Sequence, residues 1–383
     1  MQICICRVRV EYVNLSDICK INMGQSPEST SYNSDKQGVP FYQGNADFGA
    51  LYPNPRIWCS KPIKLAKEND ILISVRAPVG ALNFSKEECC IGRGLAAITL
   101  VSNDFLIEFI YWSLRTGVKE LQSKSTGSTF KSINKKVLEE VRIPKISLKD
   151  QEGIIRNITL LTNILTKYEQ ETVFLDELVK ARFVEMFGDV QDAKKHSDKQ
   201  LKDICNTVTG GTPFTKHAEY YNGTIPWIST VSLGPNYIDG TTAKAFITQE
   251  AVDNSSTKII PSGSILFGTR VGVGKSSINQ VEMCTNQDIV AIIDLDESKY
   301  NKLYIKYVLD TYQSYFDSIK KGATILGISS DDLKNIYIPA ASLYEQNRFE
   351  KFVKQIDKSR SRIQKSLEAS QELFDSLMQE YFG

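Results

Sequence analysis

The 383-residue sequence repeats itself, and two copies of one pattern must be two copies of one structural unit. Leu15-Ser16-Asp17-Ile18-Cys19 returns 186 residues later as Leu201-Lys202-Asp203-Ile204-Cys205, and Val39-Pro40-Phe41 returns as Ile225-Pro226-Trp227. Ile71-Leu72-Ile73 with Arg76 and Gly80 returns 194 residues later as Ile265-Leu266-Phe267 with Arg270 and Gly274. From Gly127-Ser128-Thr129 and Gly322-Ala323-Thr324 onward the offset is 195: Leu138 matches Leu333, Ile143-Pro144 matches Ile338-Pro339, and Gln151 matches Gln346. Both copies end in Phe-Gly, at Phe187-Gly188 and Phe382-Gly383. Nearly all the length difference therefore falls before the central strand of each copy. At roughly 100 to 200 residues per domain, the length also asks for about two cores.

The last part of each copy is helical. From Ile154 the sequence steps by four and three through Ile158, Leu161, Leu165, Tyr168, Thr172, Leu175, Val179, Arg182 and Met186. The same register returns as Phe349, Val353, Ile356, Arg360, Ile363, Leu367, Ser370, Phe374, Leu377 and Tyr381. A sustained 4-3 seam with no proline to break it is a coiled-coil pattern, whereas a helix packing only on its own domain needs no more than a 3.6-residue stripe. About 35 residues at 1.5 Å each make a rod on the order of 50 Å. Antiparallel pairing would relate the two globular parts by an approximate two-fold. Such an object could set two heads on successive major-groove faces, about 34 to 36 Å or a multiple apart.

Before each helix lies a domain of mixed character. Asp70 to Val75 and Ala96 to Val101 read as strands, matched by Ser264 to Phe267 and Ile289 to Ile293; Phe105 to Leu114 and Tyr300 to Leu309 read as helices. The expected fold is α/β, with similar domains over 1–149 and 189–343 and long helices over 150–188 and 344–383 pairing as an antiparallel coiled coil.

Composition narrows the chemistry. Lys plus Arg number 46 and Asp plus Glu 45, so any nucleic-acid contact must come from local clusters rather than a global field. None of the eight cysteines forms a C-x-x-C pair, and His196 and His217 are too few for a histidine-rich metal centre or a catalytic triad in each half. Both read as surface residues. Cys19 aligns with Cys205 and Cys90 with Cys284, as buried small hydrophobes would. The apolar start is too short for a signal core or a membrane span, which points to the cytoplasm and no membrane partner. Gly272-Val273-Gly274-Lys275-Ser276 imitates a P-loop, but Thr269 stands where its first glycine belongs, and Pro78 to Leu82 in the other copy has no lysine. Asn54-Pro55-Arg56 likewise breaks the Asn-Pro-Pro-Tyr pattern of adenine methyltransferases. No metal and no cofactor is expected on this chain.

Candidate DNA-binding residues follow from comparing the copies. Arg76 and Arg270 are shared, which suits a phosphate contact or an internal salt bridge better than base choice. The Gly-Ser-Thr and Gly-Ala-Thr turns, with Ser128, Thr129 and Thr324 beside Lys124, Lys131, Lys320 and Lys321, suit phosphate contact. Base readers should lie where the copies diverge, between the first turn and the central strand. Tyr42, Gln43, Asn45 and Arg56 in the first copy and Ser229, Thr230, Asn236 and Lys244 in the second have suitable chemistry.

The blocks Ile338-Pro-Ala-Ala-Ser-Leu-Tyr-Glu-Gln346 and Gly322-Ala-Thr-Ile-Leu-Gly-Ile328, with Arg270 to Gly274 and Asn286-Gln287-Asp288, resemble those of the specificity subunits of type I restriction–modification enzymes. The resemblance covers nearly the whole chain; the first copy departs at Phe130 and at Lys149-Asp150-Gln151. It implies two target recognition domains that read the halves of a bipartite double-stranded DNA target, with the helices fixing the gap. It also implies two modification subunits, docked on the exposed helix faces, that bring S-adenosylmethionine and methylate adenine. Restriction subunits would bring ATP and Mg. Competing readings are a free-standing nuclease or NTPase, a coiled-coil adaptor, and a decoy that binds the modification subunit without reading DNA.

Overall fold

Ile71-Leu72-Ile73 is apolar at every position because both faces of its strand are covered. In the computed structural model, which describes residues 11–126, 131–189, 197, 199–322 and 324–383, the chain forms two compact units. One comprises Met1–Glu169 with Lys365–Gly383, the other Gln170–Gln364. Each long helix is thus divided at an equivalent point between the units. Cys4, Cys6, Ser128, Thr129 and His196 lie outside the described residues.

In the first unit, Cys19–Met23, Leu95–Leu100, Ile71–Ser74 and Leu82–Phe84 form an antiparallel sheet in that spatial order. Ile71, Ile73 and Ile98 point to one face and pack under the helix Ile107–Thr116, against Phe109, Ile110 and Leu114. Leu72 and Ala97 point the other way, to Tyr42, Ala66 and Ile91 of a smaller sheet built on Val39–Tyr42 and Cys89–Ile91. In that smaller sheet Phe41 pairs with Cys90 in parallel. Period-two alternation thus places one strand in two cores.

The second unit repeats the plan. Asn206–Thr209, Ile289–Ile293, Ile265–Gly268 and Ser276–Asn279 form its central sheet, with Tyr237–Ile238 added at the edge in parallel. Ile265 and Phe267 face the helix Lys302–Thr311, and Leu266 faces Ile228 and Met283. This helix begins two residues after the expected Tyr300, because the Asn301 side chain caps it by accepting from the N–H groups of Leu303 and Tyr304. The P-loop imitation is a tight turn between antiparallel strands: Gly268 N donates to Lys275 O at 2.9 Å and no helix follows. A phosphate cradle needs its helix N-terminus.

The long helices are Leu148–Phe187 and Leu343–Phe382, each 40 residues. Ser342 starts the second with a reciprocal box: its Oγ accepts from Glu345 N, and Glu345 Oε2 accepts from Ser342 N. All ten seam positions in each helix are buried or half-buried. In the first unit Asn157 donates to the Tyr381 hydroxyl at 3.3 Å, and the Phe109 and Phe382 rings lie 5.2 Å apart. In the second, Arg360 pairs with Asp176 at 2.5 Å, and Phe183 meets Phe349 at 5.4 Å between ring centres.

The paired cysteines are core residues. Cys19, Cys90 and Cys284 are buried, and Cys205 is half-buried. Burial pushes the thiols of Cys19 and Cys205 up to about 12 and that of Cys284 up to about 11. The thiolate is the reactive form, so alkylation at pH 8 should be slower in the native chain than in urea by on the order of a hundred-fold at Cys284 and a thousand-fold at Cys19 and Cys205. Peptide mapping after iodoacetamide treatment reads this directly. Equal rates in both conditions would mean the sites are open. No helix is long and apolar enough to cross a membrane among the described residues.

Candidate nucleic-acid interface

The same backbone frame stands at the end of the central strands in both copies. In the first, Gly92 N donates to Tyr42 O at 2.8 Å, Gln25 N to Ile91 O at 3.0 Å, Gly24 N to Leu95 O at 2.9 Å and Val75 N to Gly94 O at 2.9 Å. In the second, Asn286 N donates to Ile228 O at 3.0 Å, Gly211 N to Thr285 O at 2.8 Å, Gly210 N to Ile289 O at 3.1 Å and Thr269 N to Asp288 O at 2.8 Å. Each acceptor and donor in one set is the aligned equivalent of that in the other. Four hydrogen bonds from three neighbouring segments fix the short turn Gly92-Arg93-Gly94, and likewise Asn286-Gln287-Asp288. The side chains they carry are free to differ.

In the first copy this frame forms a polar pocket of about 170 Å³ lined by Ser26, Gln43, Asn45, Arg76, Arg93 and the backbone of Gly94. Arg93 and Arg76 are exposed, and neither guanidinium makes an ion pair or hydrogen bond among the described residues. A side chain at Gly94 would place its Cβ 2.3 Å from Gln43 O, so the turn packs directly on the strand end. Lys131 is exposed beside it, its carbonyl accepting from Ala77 N at 3.0 Å. Four residues expected from sequence, Gln43, Asn45, Arg76 and Lys131, are brought together here. Arg93 was not among them; its signal was a glycine-flanked arginine facing Gln287 at an aligned position where the copies differ.

The second copy carries different chemistry on that frame. Arg270 pairs with Asp288 at 3.7 Å, where the first copy has Gly94. The internal salt bridge therefore applies to Arg270, while Arg76 makes no ion pair among the described residues. Thr212 donates its hydroxyl to Gln287 Oε1 at 2.5 Å. Val231, aligned with Asn45, is 84% exposed, and Val271, aligned with Ala77, is 52% exposed. Beside both sites a loop is closed by a backbone bridge, Thr126 with Ser132 and Lys321 with Gly327. The second of these exposes Lys321 and Thr324.

Several expected base readers face elsewhere. Tyr42 is buried, as is its counterpart Ile228, because strand alternation turns both into the core; burial pushes the Tyr42 hydroxyl up. Ser229 and Thr230 are buried as well, while the next residue, Val231, projects. Asn236 donates to Asp357 on the second long helix at 2.9 Å and so anchors the domain to that helix. Arg56 holds Asp47, whose other oxygen accepts from Gln43 N at 2.9 Å; it braces the loop that carries Gln43. Lys124 pairs with Glu120, and Lys244 lies exposed over the Trp227 ring at 6.0 Å.

The family model of the type I restriction modification DNA specificity domain matches the chain twice, over residues 7–173 and 194–371. A putative type I restriction enzyme MjaX specificity subunit from Methanocaldococcus jannaschii is 40% identical over 163 residues, covering 42% of this chain and 38% of the relative. The EcoR124I/EcoR124II specificity subunit from Escherichia coli is 31% identical over 248 residues, covering 60% of this chain and 57% of the relative. The chain thus spans only about half the length of these curated relatives in its matches. The S subunit of a type I restriction–modification system from M. genitalium shares the fold at a TM-score of 0.57 and 14% identity, covering 98% of this chain and 97% of the other. A second solved structure, from work on type I system assembly, reaches a TM-score of 0.64 at 15% identity, covering 97% of each chain.

Proposed function

The chain belongs to the type I restriction–modification DNA specificity family, and from that premise we propose that it is the specificity subunit of such a system: a reader of a bipartite double-stranded DNA target without chemistry of its own. The observation that carries this is the doubled frame, one architecture presenting two different sets of side chains, as two heads reading two half-sites would need. The long helices act as an antiparallel coiled coil that fixes the gap. Exposed Val173, Phe174 and Leu178 give the first helix an apolar outer face within the second unit, suited to a modification subunit. Two such subunits would bring S-adenosylmethionine and methylate adenine, and restriction subunits would bring ATP and Mg.

Mapping DNA methylation in cells that express the chain with its modification subunit tests the reading. A motif of two short halves separated by a fixed gap is expected. An unchanged methylome despite formation of the complex would sink it. The division of labour has its own test: four residues inserted after Glu169 and four after Gln364 add about one helical turn, about 6 Å. At 3.4 Å per base step the gap should lengthen by about two base pairs while both halves stay the same. Altered halves would place base reading in the helices.

A further inference from the structure

We propose that Arg93 and Gln287 occupy the same base-reading position in the two heads, so that the first domain takes a guanine there and the second an adenine–thymine pair. This rests on the specificity reading above and goes further by naming the residues and the base class.

The argument begins with rigidity. Arg93 and Gln287 sit at the tips of turns held by equivalent backbone bonds, so each side chain leaves the protein from the same place in its own domain. A reader needs such a fixed base, because flexible backbone would dissipate the discrimination a pair of hydrogen bonds provides. Charge comes next. The first site presents two unpaired guanidiniums among the described residues, Arg76 and Arg93. The second presents none: Arg270 is paired with Asp288, and Gln287 is neutral. A guanidinium matches the O6 and N7 acceptors of guanine, whereas a carboxamide matches the N6 donor and N7 acceptor of adenine.

The surroundings agree with each assignment. Beside Arg93 stand Ser26, Gln43 and Asn45, all polar. The positions aligned with Asn45 and Ala77 in the second head are the exposed Val231 and Val271, and apolar side chains contact the thymine methyl. Thr212 bonds the Gln287 carbonyl oxygen, and the amide NH2 makes no hydrogen bond among the described residues. The oxygen keeps a second lone pair for an adenine N6 donor.

The test uses the full chain co-expressed with its modification subunit and compares methylation motifs for the wild type, Arg93→Gln and Gln287→Arg. Arg93→Gln should move one G·C position of a single half-site toward A·T, shifting the base preference there about ten- to a hundred-fold and leaving the other half intact. Gln287→Arg should do the reverse in the other half. Unchanged halves in both variants overturn the proposal, and so does a uniform fall in methylation with no change of base, which would make Arg93 a phosphate contact. If the wild type itself yields no two-part motif, the specificity reading fails and this assignment with it.

Discussion

Replacing Phe183 by alanine is expected to lower the stability of the second unit by about 3 to 5 kcal/mol, the range for removing a buried aromatic ring. Phe183 is fully buried and stands where the first long helix, the second long helix and the domain meet. Its ring centre lies 5.0 Å from that of Phe187, 5.4 Å from Phe349 and 5.9 Å from Tyr304. No single segment can move to fill the void, because the neighbours belong to separate elements. Val184, 49% exposed on the same helix, supplies the control: Val184→Ala should change stability by no more than about 0.5 kcal/mol. Urea unfolding of the full chain, followed by tryptophan fluorescence and circular dichroism, measures both. Equal effects of the two substitutions would show that the helix does not pack into the domain as described.

That joint also shows what the sequence could and could not disclose. The Phe-Gly endings and the 4-3 seam were visible, because helical periodicity is a local property of the chain. The contact of Phe187 with Tyr304, mirrored by Phe382 with Phe109, was not, since it joins residues far apart in sequence. The central strands were legible within a residue or two, as continuous apolar runs bounded by turns. Candidate base-reading residues were harder. Tyr42 and Gln43 are adjacent and both polar at one end, yet strand alternation sends one into the core and the other into the pocket. Asn236 has the chemistry to read adenine, but its partner is Asp357, more than a hundred residues away. Arg93 carries no length signal, because the frame around it has the same length in both copies and differs only in side chains.

The second large effect is expected from two glutamines that the repeat itself points to. Gln346 is fully buried at the start of the second long helix; its Oε1 accepts from Asn301 N at 2.8 Å, and its Nε2 donates to Lys299 O at 3.1 Å and Ala341 O at 2.9 Å. Gln151 makes the equivalent three bonds, to Leu106 N at 2.9 Å, Asp104 O at 2.9 Å and Ile146 O at 3.0 Å. Each side chain therefore ties the head of a long helix to the loop that opens the domain's own helix. Gln346→Leu keeps the volume approximately but strands one N–H and two carbonyls away from water, so it should cost about 2 to 4 kcal/mol. Gln151→Leu should cost a similar amount, and the two should add, because they share no partner. Gln346→Glu separates the hydrogen-bonding role from simple packing. A carboxylate facing two carbonyls is held above the ordinary glutamate pKa of about 4.3, so its neutral form is favoured in the folded state. Stability that is present below that value should be lost as pH rises through the higher folded pKa. Gln346→Leu should show no such pH dependence relative to the wild type. Matching pH profiles for the Leu and Glu variants would mean that the amide merely fills space, and the joint between long helix and domain would have to be explained by packing alone.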